Sequence, residues 1–207
     1  MKHFKLLFCF CTVLCCFLTN ENLFAQKKDS VIVSVDTVRI KQENKPVIYT
    51  IDGNKYRSPN SYFTIGAGVG YKINTPQKIT SPVSMAFNIH MKGTYVQAGY
   101  LRSDVAGFFT SQSNVYMNEL RLGIGKRKES LKNNLAFYVG ANRATGQVND
   151  STGFTYFGLY TELQYTKKIF YDIGVGATLF GTYNKAFQMV GLRLEFYFSN
   201  ALRKERN

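Results

Sequence analysis

The sequence predicts an all-β protein, an eight-stranded antiparallel up-and-down transmembrane β-barrel preceded by a signal peptide and a short periplasmic leader. Three observations carry this. The last long segment, Gln188 to Phe198, alternates strictly: Val190, Leu192, Leu194, Phe196 and Phe198 fall on one face, and Gly191, Arg193, Glu195 and Tyr197 on the other. The chain opens as an export signal does, with basic MKHFK, the apolar run Leu6 to Leu18, and Leu23-Phe24-Ala25. Long and short connections alternate between the periodic segments, as they do in outer-membrane barrels.

The signal is assigned to residues 1–25, with cleavage after Ala25, because its apolar run falls short of the roughly 20 residues a membrane-spanning helix needs. All 4 cysteines, Cys9, Cys11, Cys15 and Cys16, lie inside it. Disulfides, thiolate metal sites and cysteine nucleophiles are therefore excluded for the exported chain. Residues 26–61 form the leader, weakly strand-like or disordered, with β-like pieces at Val31 to Ile40 and Val47 to Tyr56. The second contains the turn pair Asp52-Gly53. A basic tail, residues 199–207, follows the barrel at residues 62–198.

Within the barrel the expected strands are Tyr62 to Ile73, Val83 to Met91, Thr94 to Arg102, Tyr116 to Lys126, Leu135 to Asn142, Tyr156 to Thr166, Phe170 to Gly181, and Gln188 to Phe198. With the N-terminus periplasmic, the external loops are Asn74 to Pro82, Ser103 to Val115, Arg143 to Thr155 and Thr182 to Phe187. The inner turns lie at Lys92-Gly93, Arg127 to Asn134 and Lys167 to Ile169.

Alternation alone fits a soluble lipocalin-like ligand-binding barrel equally well, with its apolar face turned inward. The content of the polar face decides between them. It is crowded with glycine, and each glycine weakens a strand by roughly 0.5–1 kcal/mol relative to alanine, a cost that a soluble surface has no reason to carry. Inside a narrow barrel, glycines make room for large neighbours. Tyrosines and phenylalanines cluster near strand ends, where such barrels carry interfacial girdles; tryptophan is absent.

The polar face also holds Glu119, Arg121, Glu162, Arg193 and Glu195, expected near mid-height of a lumen only wide enough for side chains. Unpaired charge there is costly, so a Glu/Arg network that fills the lumen is expected. His90 is the sole histidine beyond the signal; although Ser84 and Asp172 exist, no catalytic constellation is expected, and neither is a metal site or a cofactor. Gly66-Ala-Gly68-Val-Gly70 lacks the spacing and the following helix of a dinucleotide loop.

Lys and Arg number 26 against 13 Asp and Glu, a formal charge of +13. Export makes membrane lipid rather than nucleic acid the partner of this charge. The basic pieces Lys126-Arg127-Lys128 with Lys132, Lys167-Lys168, and Arg203-Lys204 with Arg206 are placed to meet phospholipid headgroups at the inner leaflet. In the long loop after the third strand, Val105, Phe108 and Phe109 are the candidates for an external contact with an envelope partner.

Residues 62–198 resemble the small outer-membrane β-barrels of the OmpA/OmpX/OmpW kind. The closing run Gly191-Leu-Arg-Leu-Glu-Phe-Tyr-Phe is similar to the signal that such proteins present to the barrel-assembly machinery, here Gly191, Leu194, Phe196 and Phe198. The resemblance implies residence in the outer membrane of a Gram-negative-type bacterium, among outer-membrane lipids. It is one of architecture, and the expected function is non-enzymatic: a filled barrel that anchors loops and leader for envelope integrity or partner binding. A small-solute channel or hydrophobic-ligand port stays open as an alternative, as does a lipid hydrolase or acyltransferase dependent on His90.

Overall fold

The structure, a computed structural model, describes residues 47–51, 54–73, 79–104, 116–130, 132–149, 152–170, 172–185, 187–199 and 202–203. The signal, the leader before residue 47, the loop with Val105, Phe108 and Phe109, and Lys204 with Arg206 lie outside the described residues. Eight strands close into one antiparallel barrel: β3 (Tyr62–Lys72), β4 (Ile79–Met91), β5 (Thr94–Asp104), β6 (Tyr116–Glu129), β7 (Asn133–Asn149), β8 (Thr152–Phe170), β9 (Ile173–Asn184) and β10 (Gln188–Ser199). Each pairs with its chain neighbour, and β10 closes on β3 with Leu194 opposite Ala67 and Phe196 opposite Ile65. A separate sheet of order β1-β2-β11 joins β1 (Val47–Ile51), β2 (Asn54–Ser58) and β11 (Leu202–Arg203), so the chain on either side of the barrel meets in one ladder.

The pleat sends alternate residues in and out, and the barrel is apolar on the outside. Leu122 is 63% exposed, Leu194 71% and Phe157 79%, whereas Glu119 is 0% and Arg193 2% exposed. That inversion disposes of a lipocalin-like barrel with an apolar interior. It matches a wall that faces hydrocarbon around a lumen packed with polar and aromatic side chains.

Inward glycines set how closely those side chains pack. Gly123 and Gly140 stand opposite each other on β6 and β7, and the Tyr160 ring lies across them. A Cβ at Gly140 would come within 2.7 Å of Tyr160 Cε1, and one at Gly191 within 2.6 Å of Phe180 Cζ. The glycines of the polar face are thus the floor on which the lumen aromatics rest.

Strand ends differ from the sequence expectation at several places; Ile79 to Pro82, Ser103-Asp104 and Thr182 to Asn184, expected in external loops, belong to β4, β5 and β9. Arg143 to Thr155, expected as an external loop, is mostly ladder: β7 and β8 continue past the other strands, pairing Thr145 with Thr155 and Gly146 with Phe154. The inner connection expected at Arg127 to Asn134 shortens in the same way, because Lys128 still pairs with Leu135 and Glu129 with Asn134. What remains is a tight turn where the Ser130 amide bonds to the Asn133 carbonyl at 2.8 Å. Lys167 to Ile169 lies within β8, and the chain turns instead between Phe170 and Ile173. In each case charged or polar residues carry the composition of a turn, yet the backbone ladder is indifferent to side-chain polarity once the strands are adjacent. The Lys92-Gly93 turn stands as expected, both residues having positive φ, 47° and 83°.

Candidate functional site

The lumen charges Glu119, Arg121, Glu162, Arg193 and Glu195 come from three strands, β6, β8 and β10, and meet in one connected cluster. Arg121 donates from Nη2 to Glu119 Oε2 and from Nη1 to Glu162 Oε1, each at 2.6 Å. Arg193 Nη2 reaches the same Glu162 oxygen at 2.6 Å and Glu195 Oε1 at 3.0 Å. All five side chains are buried. Glu162 is the bridge: one oxygen takes both arginines while Gln97 Nε2 donates to the other at 3.2 Å.

Neutral polar groups take up much of what the ion pairs leave over, although Arg193 Nη1 has no hydrogen-bond partner among the described residues. Thr182 Oγ1 donates to Glu119 Oε1 at 2.8 Å, Gln164 Nε2 to Glu195 Oε2 at 2.6 Å, and Tyr160 OH to Gln97 Oε1 at 2.8 Å. The Arg193 guanidinium lies 4.6 Å from the Phe180 ring centroid, and Arg121 lies 5.1 Å from that of Tyr160. Cations are therefore covered by rings on one side and paired with carboxylates on the other, the arrangement that makes buried charge tolerable.

A second cluster lies at the end of the barrel that carries its termini, and sequence reading missed it. Arg127 Nη1 donates to Asn60 Oδ1 at 2.9 Å and to the Asn60 carbonyl at 3.1 Å; Nη2 donates to Tyr197 OH at 2.7 Å and Glu129 Oε1 at 3.1 Å. Lys168 Nζ bonds the same Glu129 oxygen at 2.6 Å. The Arg127 guanidinium is 4.3 Å from the Tyr62 ring centroid. The available signal was the alternation itself: continuing the inward positions Gly123 and Gly125 reaches Arg127 and Glu129. The basic pieces assigned to lipid are thus divided. Arg127 and Lys168 turn into the lumen, while Lys126, Lys128, Lys132 and Lys167 are exposed outside.

The two clusters are linked by Tyr62, whose hydroxyl donates to Gln164 Oε1 at 2.8 Å and lies 2.6 Å from Tyr138 OH. At the opposite end, Leu101, Met117, Ala144, Phe180, Phe187 and Met189 pack as an apolar cap. The charge cluster, the tyrosine link and the apolar cap thus succeed one another along the described lumen.

The other sequence candidates do not form a catalytic group. His90 Nε2 accepts from the Gly93 amide at 3.2 Å and so buttresses the Lys92-Gly93 turn. Asp172 accepts from the Ser199 hydroxyl at 3.1 Å, and Ser84 is buried on the inner face of β4. Among the described residues, no group of His, Cys, Asp and Glu is placed to hold a metal ion. Of the closing-strand residues, Gly191 faces the lumen beside Phe180, and Leu194, Phe196 and Phe198 face outward.

No protein-family model matches the chain, and no curated protein does. Among solved structures, the barrel is similar to Neisserial surface protein A, with a TM-score of 0.52 at 11% identity over 68% of this chain and 97% of that one. It is similar also to Ail, the attachment invasion locus protein of Yersinia pestis, with a TM-score of 0.50 at 10% identity over 68% of this chain and 97% of that one. At such identities the likeness is one of fold: the chain has the architecture of the small eight-stranded outer-membrane barrels.

Proposed function

We propose that this chain is a non-enzymatic integral protein of the outer membrane, a sealed barrel whose purpose lies in what it anchors at its two ends. The observation that carries this reading is the lumen itself. Glu162 bridged to two arginines, the tyrosine link below it and the apolar cap above leave the barrel bore to side chains rather than to solute. The apolar outer wall supports insertion in lipid, and the signal at residues 1–25 supports export with the N-terminus periplasmic. Gly191, Leu194, Phe196 and Phe198 serve assembly into the membrane, and Val105, Phe108 and Phe109 form the external contact with an envelope partner.

Expression with its own signal, membrane separation and gel electrophoresis with and without boiling test the first half. The expected result is an outer-membrane species whose mobility changes on boiling, and a freely soluble product overturns the reading. Purified protein in planar bilayers tests the second half. The expected record shows no steps above baseline; steady conductance altered by Glu162→Gln would make the chain a channel.

A further inference from the structure

Charge is segregated across the barrel wall. The described glutamates, Glu119, Glu129, Glu162 and Glu195, all turn into the lumen, and each is paired there with arginine or lysine. Asp172, at a turn, is bonded to Ser199. Lysines, by contrast, point outward toward the end of the barrel that carries its termini: Lys126 and Lys128 on β6 and Lys167 on β8 are exposed at the lower part of the apolar face, where Lys167 is level with Val175 and Ile169 lies beyond it. Among the described residues no glutamate of the wall faces out to neutralise them, so they present net positive charge on the apolar surface.

Register shows what lies between. Lys126 is level with Phe137 and Leu163, Lys128 with Leu135 and Tyr165, and Lys167 with Asn133. The β7 strand is therefore an apolar strip, Leu135, Phe137 and Val139, between a basic ridge on β6 and the single outward lysine Lys167 on β8. Across two strands, and with the stagger of two and four residues along them, Lys128 lies about 12 Å and Lys126 about 16 Å from Lys167 at ordinary strand spacing and rise. Tyr165 OH donates to Asn133 Oδ1 at 3.2 Å and borders the strip on its β8 side. This arrangement has cations flanking a headgroup position and an apolar track leading from it into the hydrocarbon zone.

We propose that Lys126, Lys128 and Lys167 form a binding collar for the phosphate of an anionic glycerophospholipid, with an acyl chain lying along Leu135, Phe137 and Val139. The inference rests on the outer-membrane reading above, and it assigns this rim to the leaflet on the side of the barrel's termini. Selection is electrostatic, because phosphatidylcholine offers the same phosphate but cancels its charge, while phosphatidylglycerol keeps it. Basic residues at an anionic surface contribute about 5-fold in binding each.

The test uses the full exported chain, folded into vesicles of phosphatidylcholine with one-fifth phosphatidylglycerol, extracted gently, and weighed with its bound lipids by native mass spectrometry. The expected result is retention of phosphatidylglycerol in preference to phosphatidylcholine. In the combined variant K126Q/K128Q/K167Q this preference should fall on the order of 100-fold, from the per-lysine contribution. Lys92→Gln, an exposed lysine on another turn, should leave it unchanged. Equal retention of the two lipids by the unaltered protein overturns the proposal, and so does a preference that survives the triple substitution. If the triple variant does not fold, K167Q alone still reports, with about a 5-fold loss expected and no loss counting against the collar. In a second set of vesicles that carry diphosphoryl lipid A and phosphatidylglycerol in equal amounts, preferential retention of lipid A would place this rim on the lipopolysaccharide side and overturn the assignment. Boiling-dependent mobility, measured on the same samples, separates the two failures. A barrel that shifts but does not select lipid sinks only the collar, whereas one that never inserts sinks the outer-membrane reading.

Discussion

Glu162 holds two guanidiniums on one carboxylate oxygen, Arg121 and Arg193 each at 2.6 Å, and no other side chain in the lumen is so placed among the described ion pairs. Removing one partner of a buried pair leaves the other charged and unsolvated, a loss of about 3–5 kcal/mol. Glu162→Gln keeps the shape and removes the charge, so it should lower the unfolding free energy of the barrel in detergent by about that amount. Urea titration followed by tryptophan-free tyrosine fluorescence measures it; a change below about 1 kcal/mol would mean that the neighbouring carboxylates carry the arginines unaided. At this scale the sequence was informative about identity and silent about partners. Alternation put Glu119, Arg121, Glu162, Arg193 and Glu195 on inward faces, but nothing in the spacing says that Glu162, rather than Glu119 or Glu195, is the shared acid. Arg127 reads in sequence as part of a lipid-facing basic turn because lysines flank it, whereas the pleat turns it inward onto Asn60, Glu129 and Tyr197.

The elements owe their limits to turns as much as to strands. Lys92 and Gly93 both have positive φ, the backbone that a two-residue hairpin needs to match the strand twist. A side chain at Gly93 meets the left-handed penalty of roughly 1–2 kcal/mol, so Gly93→Ala should destabilise by that much. Lys92→Asn should be neutral or stabilising, since asparagine favours this conformation. Comparison of the two variants by urea unfolding checks both signs, and equal effects would point away from backbone conformation. His90 adds to this turn by accepting the Gly93 amide bond at 3.2 Å. The β7–β8 hairpin shows the converse. Thr145, Gly146, Phe154 and Thr155 look like loop in composition, yet they remain paired because the strands below hold them within hydrogen-bonding distance.

At the scale of the molecule, the inverted distribution of polarity is the controlling fact. Leu122, 63% exposed and flanked on its own strand by Leu120 and Ile124, lies in the outward apolar band. A cation there must enter hydrocarbon, at a cost of roughly 2–4 kcal/mol near the midplane and little near the rim. Leu122→Arg should therefore impair folding into bilayers by that order, while Lys128→Arg at the rim should have no measurable effect. Folding yield into lipid vesicles, read from the boiling-dependent gel shift, discriminates the two. Equal yields would contradict a hydrocarbon-facing wall.

The sequence by itself determined which residues share a face, because the pleat alternates locally with a period of two and needs no distant partner. It therefore carried the strand count, the inward glycines and charges, and the outward apolar positions. Tertiary structure alone decided where strands stop and which inward charges meet. Strand ends depend on whether a neighbour is present to accept the next hydrogen bond, as for Arg127 to Glu129 against Ala136 to Asn134. The meeting of Glu119 and Arg121 from β6 with Glu162 from β8 and with Arg193 and Glu195 from β10 depends on barrel closure and stagger. These set relative heights across the lumen, and no local pattern encodes them.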